Sequence, residues 1–355
     1  MTKFLTKITI FSIIPLIFLF IIEGILPPSL FTFRAWEAIK AKTPLLVGPF
    51  YPNVEYDMIE EGDLAHHTNY AIEKNVSWKT DKLGYRNNHF NSSADILLIG
   101  DSNIAGSSLS QQEILASVLQ KYTGLFVYNL APANVNTFIR LKNEGILQPP
   151  RIVILSSIER NIPSFQPVNA LLKFNRPVQI QFNSVVSFFA IQFDKLIRAN
   201  SIEYFKSRIK GSVGGGVQSA IDKKMFFLQG SKAVITTSDN SIEPIVERIK
   251  NYKNYFDSIG SEFIFLPIPN KETILWKLAG LKKQPIFITQ LNNKLGINEI
   301  ITIDTIKLFN DLLESEILPY HYDDTHWNKY ANDEVAKTLT KYFKLTKIVT
   351  MNKLP

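Results

Sequence analysis

Between Ala94 and Leu155 the chain repeats a pattern that few folds accommodate: a short apolar run, a helical stretch, then another apolar run, joined by short turns. Asp95-Ile-Leu-Leu-Ile-Gly100, Leu125-Phe-Val-Tyr-Asn-Leu130 and Arg151-Ile-Val-Ile-Leu155 predict strands. Such unbroken runs suit strands covered on both faces. Gln111 to Leu119 and Val135 to Ile146 read as helices, the second closed by Pro149-Pro150. The rhythm resumes with a helix over Ser241–Ile259 and a strand over Glu262–Pro267. Helices continue from about Glu272 and over Phe287–Leu295, then a strand at Ile300–Ile303 and a last helix over Asn328–Phe343. Strand and helix alternating in this way predict an α/β domain, a three-layer sandwich around a mostly parallel sheet, over residues 94–345.

The amino terminus sets the compartment. Ile8 to Ile22 is almost wholly apolar and continues through Gly24-Ile-Leu26 until Pro27-Pro28. That matches the ~20 residues a bilayer crossing needs, with Pro15 tolerated inside it. Lys3 and Lys7 precede the run, so residues 1–27 read as a cytoplasmic tip and an anchor, with the rest of the chain outside. A cleaved signal peptide is the competing reading, but no small-x-small cleavage site lies between Gly24 and Phe31. Both readings export the remaining chain; the anchored one places a periplasmic or extracellular domain on the cytoplasmic (inner) membrane.

Composition narrows the chemistry. The 355 residues include no cysteine, which excludes disulfides, thiolate metal sites and a cysteine nucleophile. A net charge of +7 is compatible with an anionic surface or polymer and too weak to argue for nucleic acid. Residues 28–93 mix aromatic and polar side chains without a sustained period and read as an irregular lead-in; His66-His67 lacks partners at metal-binding spacing and reads as a solvated loop. Residues 162–240 interrupt the alternation and read as an insertion or lid. Its Gly214-Gly215-Gly216 lacks the following Lys-Ser or Lys-Thr of a phosphate-binding loop and reads as a flexible turn. Residues 346–355 form a tail. No metal or cofactor is expected.

Two segments carry candidate chemistry. Gly100-Asp101-Ser102-Asn103 falls at the carboxyl end of the first strand, where open α/β sheets bind ligands. A serine there can expose its hydroxyl and turn its own N–H toward a developing oxyanion, or simply cap a helix. Tyr322-Asp323-Asp324-Thr325-His326-Trp327-Asn328 supplies a base and neighbouring acids, the two things a hydroxyl nucleophile needs. Alone, it also fits an acidic cap beside a surface histidine.

Together these residues resemble the SGNH, or GDSL-type, hydrolase and acetyltransferase superfamily. Gly100-Asp101-Ser102 stands as the nucleophile block and Asp323-x-x-His326 as the last block. The resemblance covers roughly Ala94 to Phe343 and implies a flavodoxin-like sheet with Ser102 as nucleophile, His326 as base and an aspartate orienting it. General family spacing selects Asp323. The middle blocks depart from the pattern. Tyr128-Asn-Leu-Ala-Pro-Ala-Asn134 has Ala131 or Ala133 where glycine is expected, and Ser156-Ser-Ile-Glu-Arg-Asn161 stands for Gly-x-Asn-Asp. The implied oxyanion donors are the Ser102 and Ala133 N–H groups and the Asn161 amide, while Glu159-Arg160 could instead form an ion pair shaping the pocket.

Leu266-Pro-Ile-Pro-Asn-Lys271 and Asp324-Thr-His-Trp-Asn328 are similar to segments of the SGNH proteins that O-acetylate alginate and related exopolysaccharides. Asp81-Lys-Leu-Gly-Tyr-Arg86 resembles membrane-anchored bacterial SGNH proteins. The alginate pattern would select Asp324, two residues before the histidine; because the histidine block there precedes the serine block, Asp323 is favoured and Asp324 is the alternative. The resemblance implies an exported, anchored serine acyltransferase or esterase acting on acetyl groups of a cell-surface polysaccharide, with a separate membrane acyltransferase as acetyl donor. The alternatives are a free-standing deacetylase or lipid esterase, and an inactive scaffold that binds glycan or partner proteins. Trp276 and Trp327 would serve as carbohydrate platforms or as core.

Overall fold

The computed structural model describes residues 2–25, 32–174, 184–198, 200–202, 205–206, 213–229 and 239–346. The tail from 347 and parts of the expected insertion (175–183, 207–212, 230–238) lie outside them. Helix α1, Thr2–Ile25, holds the apolar run, is long and apolar enough to cross a membrane, and leaves its apolar stretch uncovered by the rest of the protein.

Five parallel strands form the central sheet: β3 (Ile96–Ile99), β4 (Val127–Asn129), β5 (Ile152–Ile158), β8 (Glu262–Ile268) and β9 (Ile301–Thr302). Helix α4 (Leu115–Thr123) leads from β3 to β4, and α5 (Val135–Asn143) from β4 to β5. The strand order is β4-β3-β5-β8-β9. Renumbered along the sheet's own chain order this is 2-1-3-4-5, the flavodoxin-like arrangement. The apolar runs divide cleanly between the faces. Ile96 and Leu98 pack with Ile154, Leu266, Trp327 and Leu339 on one side, whereas Leu97 and Ile99 pack with Val153, Phe138, Phe256 and Phe265 on the other. Each such fully buried side chain contributes about 1.5–3 kcal/mol. This explains why the strands read as continuous rather than alternating hydrophobic runs.

The lead-in is more ordered than its sequence predicts. Helix α2 (Ala35–Ile39) and an antiparallel hairpin, β1 (Glu55–Glu60) with β2 (Lys74–Lys79), enclose a small core of Ala35, Ile39, Phe50, Met58, Val76 and Trp78. The inward face of β1 carries Tyr56, Met58 and the buried Glu60, that of β2 Val76 and Trp78, and Ile59 faces outward, so the alternation is blurred in the sequence. The loop between them carries His66, whose ring stacks on Phe33 with centroids 3.8 Å apart.

Within the insertion, helix α6 (Ser184–Arg198) packs on the lead-in: Asp194 accepts from the N–H groups of Lys42 and Thr43 and from the Tyr51 hydroxyl. The triglycine is a closely packed strap rather than a flexible turn. Gly214 and Gly216 donate to the carbonyls of His66 and Leu64. A Cβ at 214 would stand 2.4 Å from the Leu64 oxygen, so only glycine permits that approach. Beyond it, β6 (Val217–Gln218) pairs with β7 (Phe226–Phe227), and Phe226 N–H binds the Tyr322 carbonyl beside the histidine block. Gly214→Ala is therefore expected to lower stability by about 1–3 kcal/mol, read by thermal unfolding, since backbone must shift to admit the methyl.

Candidate active site

The turn after β3 presents Ser102 through a set of local ties. Gly100 lies under Ile104, whose side chain would be 2.6 Å from an added Cβ. Asp101 caps the short helix α3 (Ser102–Ala105), accepting from Asn103 N–H at 2.9 Å, and its other oxygen accepts from Ile158 N–H at 2.7 Å. One carboxylate thus orients the turn and joins it to the end of β5. Asn103 staples the turn to the histidine block: its main-chain oxygen accepts from the Trp327 indole at 3.2 Å, and its side-chain oxygen from Trp327 N–H at 3.3 Å.

Across this junction the Ser102 hydroxyl lies 2.8 Å from His326 Nε2. His326 Nδ1 lies 2.5 Å from an Asp324 oxygen that also accepts from His326 N–H at 2.9 Å. With the Nδ1 proton held on the carboxylate, Nε2 is left as the acceptor facing the serine. The second Asp324 oxygen accepts from Ser108 Oγ at 2.6 Å and from Asp63 N–H at 3.3 Å. Ser108 holds a φ of 62°, a left-handed conformation uncommon for serine and of the sort found where a turn serves a site.

Asp323, which the family spacing favours as the orienting acid, turns the other way. Its carboxylate meets Lys74 Nζ at 2.9 Å and the N–H groups of Gly62 and Ile72, both at 2.9 Å. The reason is local geometry joined to distant partners: an aspartate two residues before the histidine can reach both its N–H and its ring in one turn, while the lead-in captures the preceding aspartate.

Burial opposes charge on His326, but the Asp324 carboxylate, its hydrogen bond and the nearby Asp63 outweigh that and hold the imidazole above its ordinary pKa. Asp324 is buried as well, yet His326, its hydrogen bond and Lys74 keep it well below the usual carboxylate range.

Of the expected oxyanion donors, Ala133 is committed: its N–H binds the Gly100 carbonyl at 2.8 Å. Asn161 is exposed on the 3-10 turn after β5, Glu159–Ser164. Among the described residues neither the Asn161 amide nor the Ser102 N–H donates to another group. Glu159 does not pair with Arg160. It accepts from Asn270 N–H at 2.9 Å and the Thr273 hydroxyl at 2.6 Å, while Arg160 donates to the Asn270 side chain at 3.1 Å. Burial pushes the Glu159 carboxyl up to about 7. Trp327 is fully buried and packs in the core, and Trp276 is half-buried beside Lys277.

Three supporting residues escaped the sequence reading. Asp63 accepts from Thr325 N–H at 2.8 Å and its hydroxyl at 2.7 Å, 4.0 Å from His326 Nδ1 and 3.7 Å from Arg34. Lys271, buried and pushed down to about 8 by desolvation, donates to the carbonyls of His321, Tyr322 and Asp324 and fixes the loop that carries the histidine. Arg86, fully buried over the Trp78 ring, donates to the carbonyls of Ala105, Gly106 and Leu109, bracing the turn that bears Ser108. The sequence signals were a lone arginine after Asp81-Lys-Leu-Gly-Tyr and a lysine after Leu266-Pro-Ile-Pro-Asn, neither of which has a role that local pattern reveals.

Asp63, Asp324 and His326 bring one ligand atom each within 4.8 Å. The 2.5 Å between Asp324 and Nδ1 is a hydrogen-bond separation, shorter than two atoms bound to one ion at about 2.0–2.2 Å each would adopt. The group fits a proton better than a metal.

The sequence matches no protein-family model and no curated protein. Among solved structures it is similar to a proposed acylhydrolase from Bacteroides fragilis, with 10% identity and a TM-score of 0.35, covering 72% of this chain and 88% of that one. It is also similar to an acetyl xylan esterase from Butyrivibrio proteoclasticus, with 11% identity and a TM-score of 0.31, covering 79% and 67%. Similarity this faint bears on neither activity nor substrate.

A serine-directed fluorophosphonate tests the arrangement. Asp324→Asn should slow labelling of Ser102 by up to about 10⁴-fold, the effect of losing the acid that sets the tautomer. Asp323→Asn should leave the labelling rate near that of the wild type while costing about 3–5 kcal/mol in thermal unfolding, because it leaves Lys74 without its buried partner. The labelling rate should also rise with pH, since only neutral His326 accepts the proton. Its pKa is raised, so the midpoint lies above the ordinary 6.5, and Asp324→Asn should move it down.

Proposed function

We propose that this protein is an exported, membrane-anchored serine O-acyltransferase or esterase that handles acetyl groups of a cell-surface polysaccharide. The observation that carries the reading is the continuous Ser102–His326–Asp324 hydrogen-bond chain at the carboxyl end of β3.

In this reading the Ser102 oxygen attacks an acetyl carbonyl as Nε2 takes its proton, and Asp324 stabilises the imidazolium that forms. The Ser102 N–H stands at the first residue of α3, the position from which it would donate to the oxyanion, with the Asn161 amide as second donor. Collapse expels the donor alcohol, which receives the proton from His326, and leaves acetyl on Ser102. A sugar hydroxyl, or water, then gives its proton to Nε2 and attacks the acetyl-enzyme, regenerating the serine.

Anchoring supports transfer over hydrolysis. Lys3 and Lys7 at the start of α1 favour a cytoplasmic amino terminus, which would set the domain on the outer face of the cytoplasmic membrane. Acetyl-coenzyme A is cytoplasmic, so a membrane acyltransferase would hand acetyl across, and the anchor would keep Ser102 beside it. No resident cofactor is required.

The decisive experiment supplies the full chain in lipid with an acetyl ester donor, with and without a polysaccharide acceptor. Transfer predicts acetyl on Ser102 and turnover that depends on acceptor, both lost in Ser102→Ala and His326→Ala. Rapid turnover without acceptor would make the enzyme an esterase, and no acetylation of Ser102 would overturn the reading.

A further inference from the structure

Helix α6 is built inside out. At 3.6 residues per turn, Ser187, Ala190, Asp194 and Arg198 share one face, and Ser201 continues it. All five are buried against the protein. Asp194 binds the chain at Lys42, Thr43 and Tyr51, and Arg198 Nη1 donates to the carbonyls of Ala38 and Lys40 at 3.0 and 2.8 Å. Much of the remaining surface is apolar and open, interrupted by Gln192 and Lys195: Phe189 is 64% exposed, Phe193 51% and Ile197 56%, with Phe188 and Ile202 flanking them. A helix on a water-facing surface does the reverse, burying its apolar stripe and presenting its charges. An aromatic and aliphatic face of this extent needs a cover.

Its position says what the cover is. Ser201 donates through both N–H and Oγ to Glu23 Oε1, at 2.8 and 2.6 Å, and Glu23 closes the apolar stretch of α1. The carboxyl end of α6 therefore adjoins the outer end of the one helix, among the described residues, that is apolar enough to cross a membrane, which brings its open face to the level of that end. Fifteen residues at 1.5 Å each give about 22 Å, which with Asp194 and Arg198 in it is too short and too charged to span. It suits a helix lying in the interfacial plane.

We infer that α6 is a second membrane contact, an in-plane helix whose Phe189, Phe193 and Ile197 enter the acyl region of the outer leaflet beside α1. This rests on the anchoring in the proposed function and deepens it. A single spanning helix lets a domain tumble about its tether. A second contact, tied to the lead-in that supplies Asp63 and Arg34 to the site, fixes the height and facing of Ser102 above the bilayer.

The chain contains no cysteine, so single-cysteine labelling is clean. Full-length Phe189→Cys, Ile197→Cys, Phe18→Cys in α1 and Lys341→Cys, exposed on the helix Lys329–Leu345 that packs on α4, would each carry an environment-sensitive fluorophore. Each would be reconstituted in vesicles of phosphatidylethanolamine and phosphatidylglycerol. We expect a nitroxide on the lipid acyl chain to quench the probes at 18, 189 and 197 several-fold more than aqueous iodide does, with the order reversed at 341. Quenching at 18 but iodide access at 189 and 197 would overturn the α6 contact while leaving the anchor intact. Lipid quenching at none would overturn both. Shielding of 189 and 197 from both quenchers would mean that protein covers the face, and would likewise overturn it. None of these outcomes depends on Ser102 chemistry.

Discussion

One buried carboxylate organises this molecule. Asp324 sits where a charge is costly unless several donors surround it, and it meets that requirement with His326 N–H, His326 Nδ1, Ser108 Oγ and Asp63 N–H. The donors come from three different stretches: the histidine block itself, the turn after α3, and the lead-in. Satisfying the charge therefore assembles the site, because no donor can be supplied without bringing its stretch to the sheet edge. The same bonds fix the imidazole so that Nε2 faces Ser102.

The lead-in belongs to the site rather than wrapping it. Arg86 distributes one guanidinium over the Ala105, Gly106 and Leu109 carbonyls, and full burial pushes its pKa down to about 9. A charge so deeply placed is tolerated only because the carbonyls it meets also lack water. Lys271 does the corresponding work under the histidine loop, and the Lys74–Asp323 pair ties that loop to β2. Buried cations therefore brace the turns on both sides of the Ser102–His326 contact, leaving the two side chains little freedom to drift apart.

Much of this was legible in the chain. The runs at Ile96–Ile99, Ile152–Ile158 and Glu262–Ile268 showed as strands because burial on both faces demands continuous apolar sequence. The β1–β2 hairpin did not show, because its inward face mixes Tyr56, Met58, Val76 and Trp78 with the buried Glu60 while Ile59 faces outward. The helix expected from Gln111 begins at Leu115; Gln111 instead accepts from Arg86 and from Lys79 N–H, contacts no local pattern reveals. The inverted faces of α6 read only as a Phe- and Val-rich segment, since which side of a helix meets protein is decided by what lies beside it.

The sequence by itself determined the α/β alternation, the apolar amino terminus and the two segments bearing Ser102 and His326, because burial, bilayer thickness and side-chain chemistry write themselves into local patterns. Tertiary structure alone decided that Asp324 rather than Asp323 meets the imidazole, that the Ala133 N–H is already committed, and that Asp63, Arg86 and Lys271 hold the turns in place. Those outcomes turn on where a side chain points and which donor arrives from hundreds of residues away, and neither is a property of neighbouring residues.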